Sequence, residues 1–179
     1  MSGFSSYKSK ASTLFSSIAL LSLLFIAMLF DLRGRQVPQS ITLGGLIGSG
    51  IFAIFYGLWA PIALTAALIF LSDFNHRARR IGFAIILAVF AALLQPETVW
   101  LCILILGTWL LWELGGIGGA DVKLLISALL VLQDPWVLLP IFLAGGLQGL
   151  LAALKKKKDI PFVVSIFCGS LIFAFYPYF

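Results

Sequence analysis

Charge is what this sequence has least of. Among 179 residues there are 12 Lys and Arg and 7 Asp and Glu, 11% in all, where soluble domains carry about 25%. That shortage excludes an ordinary water-soluble domain, and the mean hydropathy of +1.11 agrees. Cysteine and histidine are equally scarce. The two cysteines, Cys102 and Cys168, lie in apolar runs with no CxxC pattern, so a cysteine zinc site lacks its ligands. The single histidine, His76, stands among Arg77, Arg79 and Arg80 and reads as part of a solvated basic loop rather than as a metal ligand. No metal and no cofactor is expected. The first apolar run ends at Asp31 and Arg33 without a small-residue cleavage site, so it reads as a span and not as a removable signal.

What the sequence does have is continuous apolar runs, not the alternating ten-residue segments of an outer-membrane barrel. They predict an all-α, polytopic transmembrane bundle of about eight spans (six to eight), forming one transmembrane domain over 1–179. Leu14 to Phe30 is the first span, and Pro38 stops any helix carrying through it. Thr42 to Ser72 is too long for one crossing, since at 1.5 Å per residue it exceeds the roughly 30 Å of hydrocarbon by about half. It divides at Gly57-Leu58-Trp59-Ala60-Pro61, where Gly and Pro mark a turn and Trp an interface. Asp73 to Arg80 reads as a basic loop. Ile81 to Leu94, Thr98 to Trp112, Asp121 to Leu132, Trp136 to Leu154 and Ile160 to Tyr176 complete the set, several of them near the lower length limit for a span.

The basic residues follow this division. With the N-terminus outside, one side receives Arg33, Arg35, Arg77, Arg79, Arg80, Lys123 and Lys155 to Lys158, ten in all, and the other only Lys8 and Lys10. Positive charge collects on the cytoplasmic side, so the ten-charge side is assigned there in a multi-pass plasma-membrane protein. The net charge of +5 is thus a statement about topology and the lipid bilayer, and no nucleic-acid partner is expected. Trp59, Trp100 and Trp136 fall near the outer interface and Trp112 near the inner one, as an aromatic belt with no further role. Gly44, Gly45, Gly48 and Gly50 on one span, and Gly145, Gly146 and Gly149 on another, suit close helix packing.

Two carboxylates break the apolar pattern at the same side. Asp31 is at the exit of one span, and Asp121 at the entrance of another, behind Gly115-Gly116-Ile117-Gly118-Gly119-Ala120. Charge inside a span costs roughly 2.5–3.5 kcal/mol on insertion scales and marks function by default. Two carboxyls at one depth suit the activation of water: one, ionised, takes a proton from water, and the other, protonated, polarises a carbonyl. Spacing alone leaves an equal alternative, in which both cap helices or pair with Arg33, Arg35 and Lys123.

Asp31-Leu32-Arg33-Gly34-Arg35-Gln36-Val37-Pro38, followed by Thr42, resembles the first aspartate motif of the type IV prepilin peptidases, in which Ile-Pro follows the aspartate by six residues. Gly118-Gly119-Ala120-Asp121-Val122-Lys123-Leu124 is similar to the family's GxGD motif and its x-Lys-Leu continuation, and Ile160-Pro161-Phe162 resembles the opening of its last span. The resemblance implies a GxGD-type intramembrane aspartic endopeptidase with Asp31 and Asp121 as the catalytic pair. Its substrates would be prepilin-like or archaellin-like precursors, cut after their short basic leader at the cytoplasmic membrane face. Lys123 matches a family lysine but is not expected to be catalytic. Ala120 stands where the family has its second glycine, four spans separate the aspartates where two are usual, and Val163-Val164 follow Phe162 where Gly-Pro is common. Two cysteines leave no four-cysteine domain of the kind that accompanies N-methylation in many bacterial members, so methylation is not expected. The competing readings are a transporter or proton relay built on the same carboxylates, and an inactive scaffold of the same family. A presenilin-like protease fits poorly, because Phe30-Asp31 stands where Tyr-Asp is expected. The oligomeric state is open.

Overall fold

A computed structural model of the chain describes residues 10–34, 36–154 and 162–175. Lys8, Arg35, the lysine run 155–158 and Ile160-Pro161 lie outside the described residues. The described part is helical, with no strand. Its α-helices are α1 (Lys10–Gly34), α2 (Gln39–Phe55), α3 (Trp59–Leu71), α4 (Arg77–Leu94), α5 (Val99–Glu113), α6 (Gly119–Leu132), α7 (Leu138–Leu154) and α8 (Phe162–Phe175). Single 3-10 turns at Pro96–Thr98 and Pro135–Val137 lead into α5 and α7. Two stretches, Phe15–Gly34 and Pro96–Glu113, are long and apolar enough to cross a membrane, and four more apolar helices are shorter.

Glycine and proline divide the chain. Pro38, with φ −53° and ψ 135°, stands just before α2. The break between α2 and α3 turns on Gly57 at φ +73°, a conformation that costs glycine nothing. Gln95 fastens that turn from a distance. Its Oε1 accepts from the Ala60 N–H at 3.2 Å, and its Nε2 donates to the Gly57 carbonyl at 2.8 Å. One buried amide thus satisfies a helix start that has no local cap. The sequence suggested only a turn at Gln95.

Two boundaries differ from expectation. α1 does not close at Asp31 but continues to Gly34, because Leu32 and Arg33 favour helix and Gly34 does not. The segment expected as a basic loop through Arg80 is shorter: Arg77, Arg79 and Arg80 already lie in α4. Arginine is a good helix former, and nothing between 77 and 80 breaks a helix.

At the centre stands α6. Val122, Leu124, Leu125, Ile126, Ser127, Ala128, Leu129 and Leu130 are all buried, so this helix is covered on every side, and α1, α2, α5 and α8 pack against it. The α3–α4 hairpin packs on α5, and α7 packs on α8. The outer helices are built inside out. α4 buries Ala84, Ala88 and Ala91 and exposes Phe83, Ile86, Phe90 and Leu93. Small residues let helices approach closely. A Cβ on Gly45 would lie 2.8 Å from Leu23 Cδ2, and one on Gly169 only 2.5 Å from the Ile141 backbone nitrogen.

The last contact gives a stability test. Gly169→Ala must push α8 away from the α7 backbone, and overpacking of this kind costs about 1–3 kcal/mol. Gly50 has open space around it, so Gly50→Ala should be neutral or slightly stabilising. Thermal unfolding in detergent should show a clear loss for the first variant and none for the second.

Candidate functional site

Helix periodicity delivers the first carboxylate. Leu20, Leu24, Ala27 and Asp31 follow one another at i, i+4, i+7 and i+11, which places them on one face. All four are buried, Asp31 at 9% exposure. The core stripe of α1 therefore ends in an acid. The second carboxylate, Asp121, is partly exposed in the first turn of α6. Because α1 packs on α6, the two acids meet at one end of the bundle, near enough for each to act electrostatically on the other.

The turn before Asp121 is tightly specified. After α5 ends, Gly115 takes φ +82°. Its N–H donates to the Trp112 carbonyl at 2.8 Å, and the Gly116 N–H donates to the Leu111 carbonyl at 2.7 Å. This pair of bonds is the Schellman arrangement, which needs a left-handed residue and so favours glycine. Gly118 is then the N-cap of α6. Its N–H donates to the Asp121 carboxylate, the reach-back from the third helical residue seen in a capping box. A Cβ on Gly118 would stand 3.0 Å from Asp121 Oδ2, and one on Gly119 would stand 3.2 Å from Trp112 Nε1. Gly118 and Gly119 thus make room for the Asp121 carboxylate and the Trp112 indole of the chain itself. Trp112 is consequently more than part of an interfacial belt. Ala120 lies within the helix, where alanine is the most favourable residue.

An ion cluster anchors this turn from outside. Arg80 Nη2 lies 2.6 Å from Glu113 Oε1, and the Glu113 side chain is only 4% exposed. Arg77 donates from Nη2 to the Glu113 carbonyl, and Arg80 donates from Nη1 to the Ser72 carbonyl at 2.9 Å. The ends of α3, α4 and α5 are thereby tied together two residues before Gly115. Little in the residue pattern points to this, apart from an acid closing an apolar run and two arginines spaced i, i+3. Lys123 forms no ion pair with a described residue, and buried Thr42 turns its hydroxyl to the Gln39 carbonyl at 3.1 Å. Among the described residues no three His, Cys, Asp or Glu side chains converge as a metal site would require. An apolar cleft of about 240 Å³ between α1 and α2 is lined by Leu23, Gly44, Gly45 and Gly48, and neither aspartate borders it.

No protein-family model, no curated protein and no solved structure matches the chain.

The cluster predicts an asymmetry. Glu113→Ala leaves Arg80 without its charged acceptor and should cost about 1.5–3 kcal/mol, the range for hydrogen bonds to charged groups. Glu113→Gln keeps an acceptor and should cost less. Unfolding midpoints of the two variants in detergent measure the difference.

Proposed function

We propose that the chain is a multi-pass membrane aspartic endopeptidase of the type IV prepilin peptidase kind, with Asp31 and Asp121 as its catalytic pair. The observation that carries this reading is the meeting of two carboxylates from helices separated by ninety positions of chain. Carboxyls that act on one another in this way favour one ionised and one protonated group, which hydrolysis needs, because neighbouring like charges resist joint ionisation. The ionised carboxyl takes a proton from water as the water oxygen bonds to the scissile carbonyl carbon. The protonated carboxyl donates to the carbonyl oxygen. Collapse of the tetrahedral intermediate breaks the C–N bond: the proton first taken from water passes to the departing amine, and the proton on the former carbonyl oxygen returns to the carboxylate that gave it.

The apolar outer faces, of which α4 is the clearest, support a membrane setting. Among the described residues Arg33, Arg77, Arg79, Arg80 and Lys123 stand at the aspartate end, while Trp59, Trp100 and Trp136 are exposed at the other. That polarity supports a cytoplasmic location for the aspartates. Prepilin-like precursors, cut behind a basic leader, are the substrates that the resemblance of both aspartate motifs favours.

Asp31→Asn and Asp121→Asn should each abolish leader cleavage while both variants insert and purify normally. The double variant should be no worse than either single one, since residues acting as a unit are not additive. Activity should follow a bell-shaped curve in pH, lost at low pH when both carboxyls are protonated and at high pH when neither is. The assay is cleavage of a prepilin-like precursor by purified protein in detergent. Substantial cleavage by either Asn variant removes that residue from the mechanism. Ion flux in liposomes without any cleavage favours the proton-relay reading instead.

A further inference from the structure

A second feature lies outside the aspartate pair. Between the end of α3 and the start of α4 is a cavity of about 130 Å³, lined by Leu71, Phe74, His76, Arg79, Arg80 and Phe83 among others. Its lining is mostly apolar, and His76, Arg79 and Arg80 also border it. Arg80 is held by Glu113 and Ser72. Arg79 is exposed and makes no ion pair with a described residue. The first turn of α4 holds no acid, and Asp73, the acid of this loop, does not line the cavity.

Arg79 also heads a stripe. Arg79, Phe83, Ile86, Phe90 and Leu93 follow at i, i+4, i+7, i+11 and i+14, on one face of α4. The four apolar members are 54%, 63%, 58% and 73% exposed. The stripe is about 20 Å long at 1.5 Å per residue, enough to cross one leaflet of about 15 Å. A cation at the head of an exposed apolar track, beside a cavity, complements a molecule with an anionic head and a long apolar chain.

We propose that an anionic phospholipid binds beside this cavity, with its phosphate on Arg79 and one acyl chain along Phe83, Ile86, Phe90 and Leu93. The site rests on the membrane setting of the proposed function, though not on catalysis. Arg79 reaches the phosphate as a planar, permanently charged fork, and Phe74 and Phe83 close the glycerol region from water. The bound lipid covers the basic end of the α3–α4 hairpin, the element clamped to Glu113.

The test uses the full chain purified in mild detergent, given equal amounts of phosphatidylglycerol and phosphatidylcholine with identical acyl chains. Native mass spectrometry reads which lipid is retained. Wild type should prefer phosphatidylglycerol by about five-fold, what one basic side chain contributes against anionic lipid. Arg79→Gln should abolish the preference and Arg79→Lys should keep most of it. Arg33→Gln removes the same charge from the same end outside the cavity, and should leave the preference intact. Equal preference in wild type and Arg79→Gln overturns the site, and so does equal loss in Arg79→Gln and Arg33→Gln, which marks a diffuse charge effect. Displacement of the lipid by excess inorganic phosphate identifies a free-anion site and overturns the lipid assignment. A chain that stays in solution without detergent and retains neither lipid overturns the membrane setting itself. One that needs detergent and retains both lipids equally overturns only the headgroup site.

Discussion

Burying α6 on every side leaves its ends as the places where a polar group can stand. Beyond Lys123, which is half-buried, a helix of 14 residues covered by α1, α2, α5 and α8 has no surface left for a charged side chain, since burying an unpaired charge is prohibitive. Its first turn is different. There the backbone N–H groups have no helical acceptor and the dipole favours an anion. Asp121 sits in that turn and accepts from the Gly118 N–H. The capping alternative raised by the sequence is therefore present at Asp121, and it does not compete with a chemical role. A carboxylate held by a helix start has a fixed direction, which acid–base work on a positioned water requires.

The fixed direction is costly elsewhere in the chain. The Gly115–Gly116 turn must bring α5 to a stop and launch α6 with no side chain at 118, because the carboxylate fills that space. Ile117 is the one side chain of this turn that packs against the core. Glu113 supplies the anchor through Arg77 and Arg80, and it can be buried because its charge is paired and hydrogen-bonded. The Schellman bonds and the ion cluster act on adjacent residues from opposite sides. Together they turn four glycines in five positions into a specified structure rather than a loose one.

Periodicity and punctuation made much of this legible beforehand. The eight helices follow the expected order, and the divided run at Gly57 could be read from Gly, Trp and Pro together. Asp31 could be placed on the core face by counting from Leu20, Leu24 and Ala27. Two of the missed features depend on partners distant in sequence. Gln95 reads as an ordinary turn residue until Ala60 and Gly57 are beside it, and Glu113 reads as a span terminus until Arg80 reaches it. The start of α4 was missed for a local reason: a run of arginines looks like a solvated loop, although arginine has high helix propensity. Trp112 was assigned to an interface because its composition suits one, while its indole in fact packs over Gly119.

Four helices, α2 to α5, separate the two aspartates along the chain. α3 and α4 lie against each other and against α5, whereas α2 and α5 flank α6 directly. A hairpin that packs on α5 leaves the α1–α2–α6 contacts untouched, so the distance along the chain from Asp31 to Asp121 does not become a distance in space. The α3–α4 hairpin is fastened at both ends. Its lower corner carries Arg77 and Arg80, which hold Glu113, and its upper corner is fastened by Gln95. Both attachments are polar, at the two ends of an otherwise apolar pair of helices, of which α4 buries the small residues Ala84, Ala88 and Ala91. In a lipid setting, where burying apolar surface between helices provides no drive, end-to-end polar fastening of this kind fixes the register of the hairpin on α5, and with it the position of the turn that carries Asp121.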